Sequence, residues 1–143
     1  MRPVRAEADD WPAIRDLLTA SGLPLDGARE AFDTGVVIRE SDRIVGCAAV
    51  EPYRPAAILR SVAVAPDRRG SGNGRRLVSA AEAVARDNGS TDLILLTETA
   101  ERWFSRLGFV LIDRTAVPAE VAASVEFQTA CSTSAVAMRR PLA

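Results

Sequence analysis

A glycine-rich loop is the part of the sequence whose residue types are best suited to chemistry. Gly70, Gly72 and Gly74 lie within five residues, and arginines flank them on both sides. Glycine lets the backbone approach a ligand closely, and the first turn of a helix offers unpaired N–H groups with partial positive charge. Together these features predict an anion site suited to a phosphate or pyrophosphate. A glycine turn with solvated arginines is the alternative interpretation.

The loop lacks the sequence features of two common classes of nucleotide-binding site. A Walker loop needs a lysine, and the sequence contains no lysine among its 18 cationic residues. The G-x-G-x-G spacing also departs from the dinucleotide fingerprint G-x-G-x-x-G, although Asp92 lies at a tempting distance downstream. Both nucleotide-binding classes are therefore disfavoured.

Composition and charge predict a globular protein that is not drawn to nucleic acid or membrane. The 143 residues fit one domain, expected to cover 1–143, with 48% hydrophobic residues and a net charge of −1. This charge gives no general attraction to nucleic acid or membrane. No apolar run approaches the roughly 20 residues of a membrane span, and the start shows no signal segment. We expect a soluble, cytoplasmic protein.

Metal chemistry is not expected. The sequence has no histidine, and Cys47 and Cys131 are far apart. A zinc site of the usual spacing is therefore absent, and acid–base work falls to Asp, Glu, Tyr, Cys or water. A metalloid-binding protein that uses both cysteines is one alternative function.

The elements that must position the loop predict an α/β (α+β) fold. Their order is β-α-α-β-β-β-α-β-α-β-(α)-β, which gives a central, mostly antiparallel sheet with one β-α-β crossover around the loop. A strand at 57–64 precedes the loop, and a helix follows it with an apolar face and a stop at Asn88 and Gly89. The other predicted strands are 3–6, 35–40, 44–50, 92–96, 109–112 and 134–138. The other predicted helices start at Asp9 or Asp10 and cover about 26–32, 100–107 with Thr99 as cap, and 118–129.

Two segments resemble the GNAT superfamily of N-acetyltransferases. The run 64–77 is similar to its acetyl-CoA signature R/Q-x-x-G-x-G/A, matched by Arg69, Gly72 and Gly74. The run 100–109 resembles its second segment, which ends in a helix and Gly-Phe. The element order also matches over nearly the whole chain. The resemblance implies the GNAT fold, acetyl-CoA as co-substrate without a metal, and transfer of acetyl to the amine of a small molecule.

A narrower resemblance points to an arsenic-resistance-linked branch of these enzymes. The runs 95–101, 107–109 and 127–135 are similar to it, the last being the distinctive one. This resemblance implies an acceptor such as an amino-acid-like toxin or an organoarsenical.

The superfamily resemblance also implies where acetyl-CoA would bind. The pantetheine arm would lie along Val62, Ala63 and Val64 and pair with their backbone, while a backbone N–H in this stretch would bind the acetyl carbonyl. The pyrophosphate would sit on the loop amides. The predicted cofactor contacts in the loop are Arg69, Gly70, Ser71, Gly72, Asn73, Gly74 and Arg75.

Four further residues are candidates for acid–base chemistry and acceptor binding. A glutamate can accept the proton of the acceptor ammonium through water, and Glu51 or Glu98, each at a predicted strand end, could do so. Arg54 and Arg60 could hold an acceptor carboxylate or oxyanion in a forked contact. A solvated surface residue is the alternative at each position.

One position departs from the superfamily pattern. Phe104 stands where many members carry a tyrosine that reprotonates the CoA thiolate. Water could serve instead, since a thiolate of pKa near 8.5 leaves readily. A non-catalytic acyl-CoA-binding or sensing module is the alternative function, and the oligomeric state is left open between monomer and homodimer.

Overall fold

A central sheet of seven strands organises the residues described by the computed structural model, which are 2–130 and 133–142, without the side chains of 129 and 130. The strands are β1 (Val4–Arg5), β2 (Gly35–Glu40), β3 (Arg43–Pro52), β4 (Ala56–Val64), β5 (Asp92–Thr97), β6 (Val110–Ile112) and β7 (Val136–Pro141). Their spatial order is β1-β2-β3-β4-β5-β7-β6. Among these strands only β4 and β5 pair in parallel, so the predicted mostly antiparallel sheet with one crossover is confirmed.

Helices cover both faces of this sheet. They are α1 (Trp11–Ala20), α2 (Ala28–Ala31), α3 (Asn73–Asp87), α4 (Glu101–Arg106) and α5 (Ala119–Ala122), with a π-helical segment at Glu126–Ala130. The alternation of side chains along β4 explains the two layers. Leu59 packs with Leu77 and Ala81 of α3, whereas Ile58 packs with Val121 and Phe127 on the opposite face.

The strands β4 and β5 separate soon after they begin. Their pairs are Ala56 with Asp92, Ala57 with Leu93 and Ile58 with Ile94, and no pair follows although both strands continue. From that point, β4 and β5 leave a gap inside the sheet.

A β-bulge accompanies this separation. On the other side of β4, Cys47 pairs with Ala63 and Ala49 pairs with Arg60, so two residues of β4 oppose Ala48 alone. One of them, Ser61, has a φ of +57°, which is uncommon outside glycine. Because a bulge bends its strand and increases the local twist, it favours the divergence of β4 from β5.

Two predicted helices differ from the structure. The run 118–129 is broken into α5 and the π-helical segment, because the Ser124 hydroxyl donates to the Val121 carbonyl at 2.6 Å and accepts from the Phe127 amide. The helix expected at 26–32 is shorter and continues as a 3₁₀ turn, Phe32–Thr34. The N-cap of α4 is Ala100 and not Thr99, and no side chain caps this helix. The Thr97 hydroxyl accepts from the backbone N–H of Ala100 at 3.0 Å, just before the helix begins.

No helix in the described part of the chain is both long enough and apolar enough to cross a membrane.

Candidate active site

The glycine loop lies where the sequence predicts it, between β4 and α3. Gly70 and Gly72 have φ values of +83° and +87°, and Gly72 is the N-cap of α3. The first backbone bond of the helix runs from the Arg76 amide to the Gly72 carbonyl at 3.0 Å. The amides at 73–75 therefore have no acceptor within the helix and are available to an anion.

Two side chains hold the shape of this loop. The side-chain amide of Asn73 is buried, and its Nδ2 donates to the Arg68 backbone carbonyl at 3.1 Å. Arg76 donates to the Ser71 carbonyl at 2.9 Å and to the Asn73 side chain at 3.0 Å. Asn73 thus serves the loop through its side chain, while its backbone N–H stays available to a ligand.

The arginines around the loop have separate roles. Arg68 pairs with Glu40 and Asp67, and Asp67 also pairs with Arg43 at 2.7 Å. The hydrogen bond from Arg43 lowers the pKa of Asp67 to about 2. Arg68 is therefore neutralised by carboxylates and adds little to an anion site.

Arg69 and Arg75 are the exposed cations of the predicted set. Arg69 Nε donates to the Val64 carbonyl at 2.9 Å, so its side chain lies over the end of β4. Arg75 is exposed on the first turn of α3. Both residues adjoin the loop amides in the chain, and their positive charge adds to that of the helix N-terminus.

Gly74 has a packing role that the motif did not suggest. A Cβ at this position would lie 2.8 Å from Cζ2 of Trp103, which packs there from α4. The glycine is therefore required for the contact between α3 and α4. By contrast, a Cβ at Gly70 would meet nothing within 4 Å, so the outer side of the loop is open.

The gap between β4 and β5 suits an extended molecule. Val62 and Val64 are half-buried against the core on the α3 side, and Ala63 packs on the opposite face. Beyond Ile58 the edge of β4 that faces β5 has no strand partner, so its backbone groups can pair with a ligand. The open gap and the open loop together fit the pantetheine arm and the pyrophosphate of acetyl-CoA.

A cavity of about 510 Å³ lies beside β3 on the face covered by α2. Its polar wall consists of Glu30, Thr34, Glu51 and Tyr53, and Val125 is part of its apolar wall. This cavity, called the Glu51 pocket below, is large enough for a small acceptor.

A buried ion cluster connects the Glu51 pocket to the bulge. Arg60 is fully buried, and its Nη1 lies 3.1 Å from Glu51 Oε2 and 3.6 Å from Glu126 Oε1. Arg60 Nε donates to the Ser61 hydroxyl at 3.1 Å, while Nη2 has no hydrogen-bond partner among the described residues. One guanidinium thus spans from the pocket wall to the bulged residue of β4.

Tyr53 completes this cluster. Its hydroxyl donates to Glu51 Oε1 at 2.8 Å, so both oxygens of Glu51 accept hydrogen bonds. Burial, together with the hydrogen bond to the Glu51 carboxylate, raises the pKa of Tyr53 to about 12. Glu51 is consequently held in one orientation at the wall of the pocket.

The structure brings two of the four predicted acid–base and acceptor residues together. Glu51 and Arg60 are in contact, but Arg54 lies over Gly89, where a Cβ would be 3.3 Å from its guanidinium. Gly89 follows the C-terminal end of α3, whereas the loop is at its N-terminal end. Arg54 therefore does not flank the Glu51 pocket with Arg60, because the turn between β3 and β4 carries it to the far end of α3.

Glu98 is also apart from Glu51. Across β4 the register aligns Glu51 with Ile58 and Ile58 with Ile94, four residues before Glu98. At about 3.3 Å per residue, the two carboxylates differ by roughly 13 Å along the strand direction. Glu98 is exposed and accepts from the Ser134 hydroxyl at 3.2 Å.

Phe104 and Cys47 belong to the core. The Phe104 ring is buried between Trp103 and Phe109, with centroids 4.9 and 5.5 Å apart in edge-to-face contacts. Cys47 is buried, and burial raises the pKa of its thiol to about 12. The predicted partner, Cys131, lies outside the described residues, and within those residues no group of three Cys, Asp or Glu side chains is arranged to hold a metal.

Sequence reasoning missed Tyr53, Glu30 and Glu126. Tyr53 had a usable signal, because it follows Glu51 by two residues and strand residues two apart share a face. Glu30 and Glu126 had none, since each reaches the site only through the packing of α2 or the π-helical segment against the sheet.

Comparison with known proteins decides the family. The sequence profile described as "Acetyltransferase (GNAT) domain" matches residues 32–111, which is more than half of the chain. The chain belongs to the GNAT family of acetyltransferase domains. The predicted GNAT fold and superfamily membership are thereby confirmed.

Several curated relatives carry the name amino-acid acetyltransferase. Over 114 residues the GNAT domain is 42% identical to the amino-acid acetyltransferase of Ralstonia nicotianae. This alignment covers 73% of this chain and 25% of that protein. Over 123 residues it is 29% identical to the amino-acid acetyltransferase of Escherichia coli strain K12, covering 80% and 28%. The chain thus spans between a quarter and a third of the length of these relatives.

Solved structures agree on the fold. Rv2747 from Mycobacterium tuberculosis, in complex with CoA and NLQ, matches over 100% of both chains with a TM-score of 0.82 and 28% identity. N-acetylglutamate synthase from Neisseria gonorrhoeae, complexed with coenzyme A and N-acetyl-glutamate, matches over 99% of this chain and 35% of its own, with a TM-score of 0.84 and 21% identity. The second likeness supports the fold alone.

Proposed function

We propose that this GNAT domain transfers the acetyl group of acetyl-CoA to the amino group of a small amino-acid-type acceptor bound in the Glu51 pocket. One observation carries the proposal. A single strand, β4, runs from the ion cluster at Arg60, past the bulge, along the gap, to the glycine loop. A molecule bound along β4 by its pantetheine and on the loop by its pyrophosphate therefore presents its far end toward the Glu51 pocket.

The chain's own groups account for each requirement of the reaction. Amide N–H groups along 62–64 that face the gap would hold the thioester and its carbonyl oxygen, where charge develops as the amine attacks. The acceptor nitrogen forms a bond to the carbonyl carbon, and the C–S bond then breaks. Most of the acceleration comes from positioning the two reactants next to each other.

The proton of the acceptor ammonium goes to Glu51, directly or through a water. Glu51 lines the pocket, and its orientation is fixed by Tyr53 and Arg60. Glu98 is a second candidate base at the other end of the gap. The leaving thiolate has an ordinary pKa near 8.5 and departs without a tyrosine at position 104.

The acceptor class rests on the relatives. A 42% identical protein named amino-acid acetyltransferase covers most of this chain. Rv2747, solved in complex with CoA and NLQ, matches this chain from end to end at 28% identity and supports an acceptor bound next to CoA. The finer proposal of an arsenic-resistance role rests on the resemblance of the runs 95–101, 107–109 and 127–135, of which the last is the distinctive one, and an organoarsenical amine belongs in the acceptor screen.

Titration calorimetry with acetyl-CoA tests the cofactor site. Gly72 is a poor position for this test, because its φ of +87° strains any side chain. Ser71 is exposed and has no such constraint. Ser71→Glu places a carboxylate at the loop, and Ser71→Gln is the matched neutral control.

We expect micromolar or tighter binding to the natural chain and to Ser71→Gln, and at least tenfold weaker binding to Ser71→Glu, because the added charge repels the pyrophosphate. Absence of binding to the natural chain would refute the proposed function. Equal affinity in both variants would show that the phosphates bind elsewhere.

A further inference from the structure

We infer that the Glu51 pocket selects acceptors whose side chain is neutral or positively charged and discriminates against acidic ones. This inference rests on the proposed function and concerns the same site. A preference against acidic acceptors differs from what the N-acetyl-glutamate complex of the synthase would suggest. That synthase is similar to this chain in fold alone.

The charges of the pocket wall carry the argument. Two carboxylates, Glu30 and Glu51, line the cavity, and no arginine is among its described lining residues. Glu51 lies on β3 and Glu30 lies on α2, so an acceptor between them meets negative charge from two elements. This arrangement attracts the ammonium group of an acceptor and repels an additional carboxylate.

The guanidinium of Arg60, which lies next to the pocket, does not offset this negative charge. Arg60 is shared between Glu51 and Glu126, and its side chain is fully buried. Its Nη1 lies 3.3 Å from the point where a Cβ of Gly27 would stand, and Val125 packs against the same point at 3.5 Å. An acidic side chain could reach Arg60 only by displacing this cover and by approaching Glu51.

The orientation of the acceptor follows from the position of the bulge. The cluster connects Glu51 through Arg60 to Ser61, which places the reacting amine on the Glu51 side of the pocket. The far end of the acceptor then lies toward Glu30. Since Glu30 is exposed, its effect is screened by salt, and the discrimination should weaken as ionic strength rises.

Acceptor kinetics with the full chain and acetyl-CoA test this inference. Glutamate, glutamine and lysine have side chains of similar length that carry −1, 0 and +1 charge. We expect kcat/KM for glutamine and lysine to exceed that for glutamate at least tenfold at low salt. Glu30→Gln should reduce this ratio several-fold, and Glu30→Arg should bring glutamate level with glutamine or above it.

Glu120→Gln is the matched control, because Glu120 is exposed on α5 and does not line the pocket. It should leave the ratio unchanged. Glutamate as the best acceptor, with no response to Glu30→Gln or Glu30→Arg, would overturn the inference while the proposed function stands. Acetyl-CoA binding without transfer to any of the three, or to an unbiased set of other amines, would overturn both.

Discussion

Tyr53 is the only tyrosine in the chain, and its hydroxyl donates to Glu51 at the wall of the pocket. The ionisation of this tyrosine therefore reports, by absorbance, whether its hydrogen bond to Glu51 is present. The near-ultraviolet absorbance of tyrosinate, followed as pH rises, reports the pKa of Tyr53, because the chain has no second tyrosine to titrate.

We expect this titration to place the pKa of Tyr53 near 12, above the ordinary value of 10.0. Burial is the larger cause and the Glu51 carboxylate the smaller one, so Glu51→Gln should lower the pKa only part of the way. Glu98→Gln is the control and should have no effect. Circular dichroism at each pH checks that the chain is folded, and ionisation near 10 in the natural chain would contradict the contact.

The burial and the ion-pair partners of Arg60 could not be predicted from the sequence. Its type and position allowed either a substrate contact or a solvated surface residue, and the structure shows neither. Register and packing buried it between Glu51 and Glu126. The loop residues were easier to predict, because their function depends on the local backbone and not on which distant elements pack against them.

At the scale of elements, the contact between α3 and α4 depends on Gly74. Alanine is a better helix former than glycine by up to about 1 kcal/mol, which alone would favour Gly74→Ala. The steric conflict with Trp103 outweighs it, and we expect a net loss of about 1–2 kcal/mol in the free energy of unfolding.

Denaturant unfolding measures this effect. Trp103→Phe removes the conflicting atom, so the double variant should be less destabilised than the sum of the two single variants. If Gly74→Ala stabilises the chain, the indole is free to move and the packing role is wrong. Acetyl-CoA affinity, measured in the double variant, then separates the packing role of Gly74 from its role in the loop.

The predicted elements succeeded where periodicity was strong. The strands from β2 to β5 and the whole of α3 follow the apolar pattern within one or two residues. The segment 118–129 failed because one hydroxyl, that of Ser124, competes for backbone groups that a continuous helix would use. Such competition depends on the side-chain rotamer, which an apolar pattern does not encode.

At the scale of the whole molecule, ion pairs tie the N-terminal turn to the sheet and predict how stability changes with pH. Asp10 is buried, accepts from the Glu7 amide and pairs with Arg39 at 2.7 Å. The hydrogen bond from Arg39 lowers the pKa of Asp10 below its ordinary 3.8. A lowered folded-state pKa means that the stabilisation is fully present above pH 3.8 and is lost as pH falls through the folded-state value.

We therefore expect Asp10→Asn to lower the free energy of unfolding by about 1–3 kcal/mol at neutral pH. The difference from the natural chain should shrink as pH falls from 3.8 through the lowered folded-state pKa, where the natural carboxyl also loses its charge. Asp9→Asn, at an exposed neighbouring position, should change little. A difference that stays constant with pH would show that the charge of Asp10 contributes nothing.

The fold class followed from the element order, but the gap in the sheet did not. The sequence predicted that β4, the loop, α3 and β5 form one crossover, which local patterns determine. It did not show that only three residue pairs join the two strands or that Ser61 bulges. Both depend on how β3 aligns with β4, and the alternation of apolar residues is compatible with more than one register.

An unpaired strand edge at the rim of a sheet invites a strand from another chain, and proteins guard such edges against aggregation. The unpaired edge of β4 lies instead in the middle of the sheet. It is closed at one end by its three pairs with β5 and backed on one face by α3. We expect a slot closed in this way to admit the thin pantetheine arm of the proposed co-substrate and to exclude a peptide strand with side chains, so that an interior edge can be open without promoting aggregation.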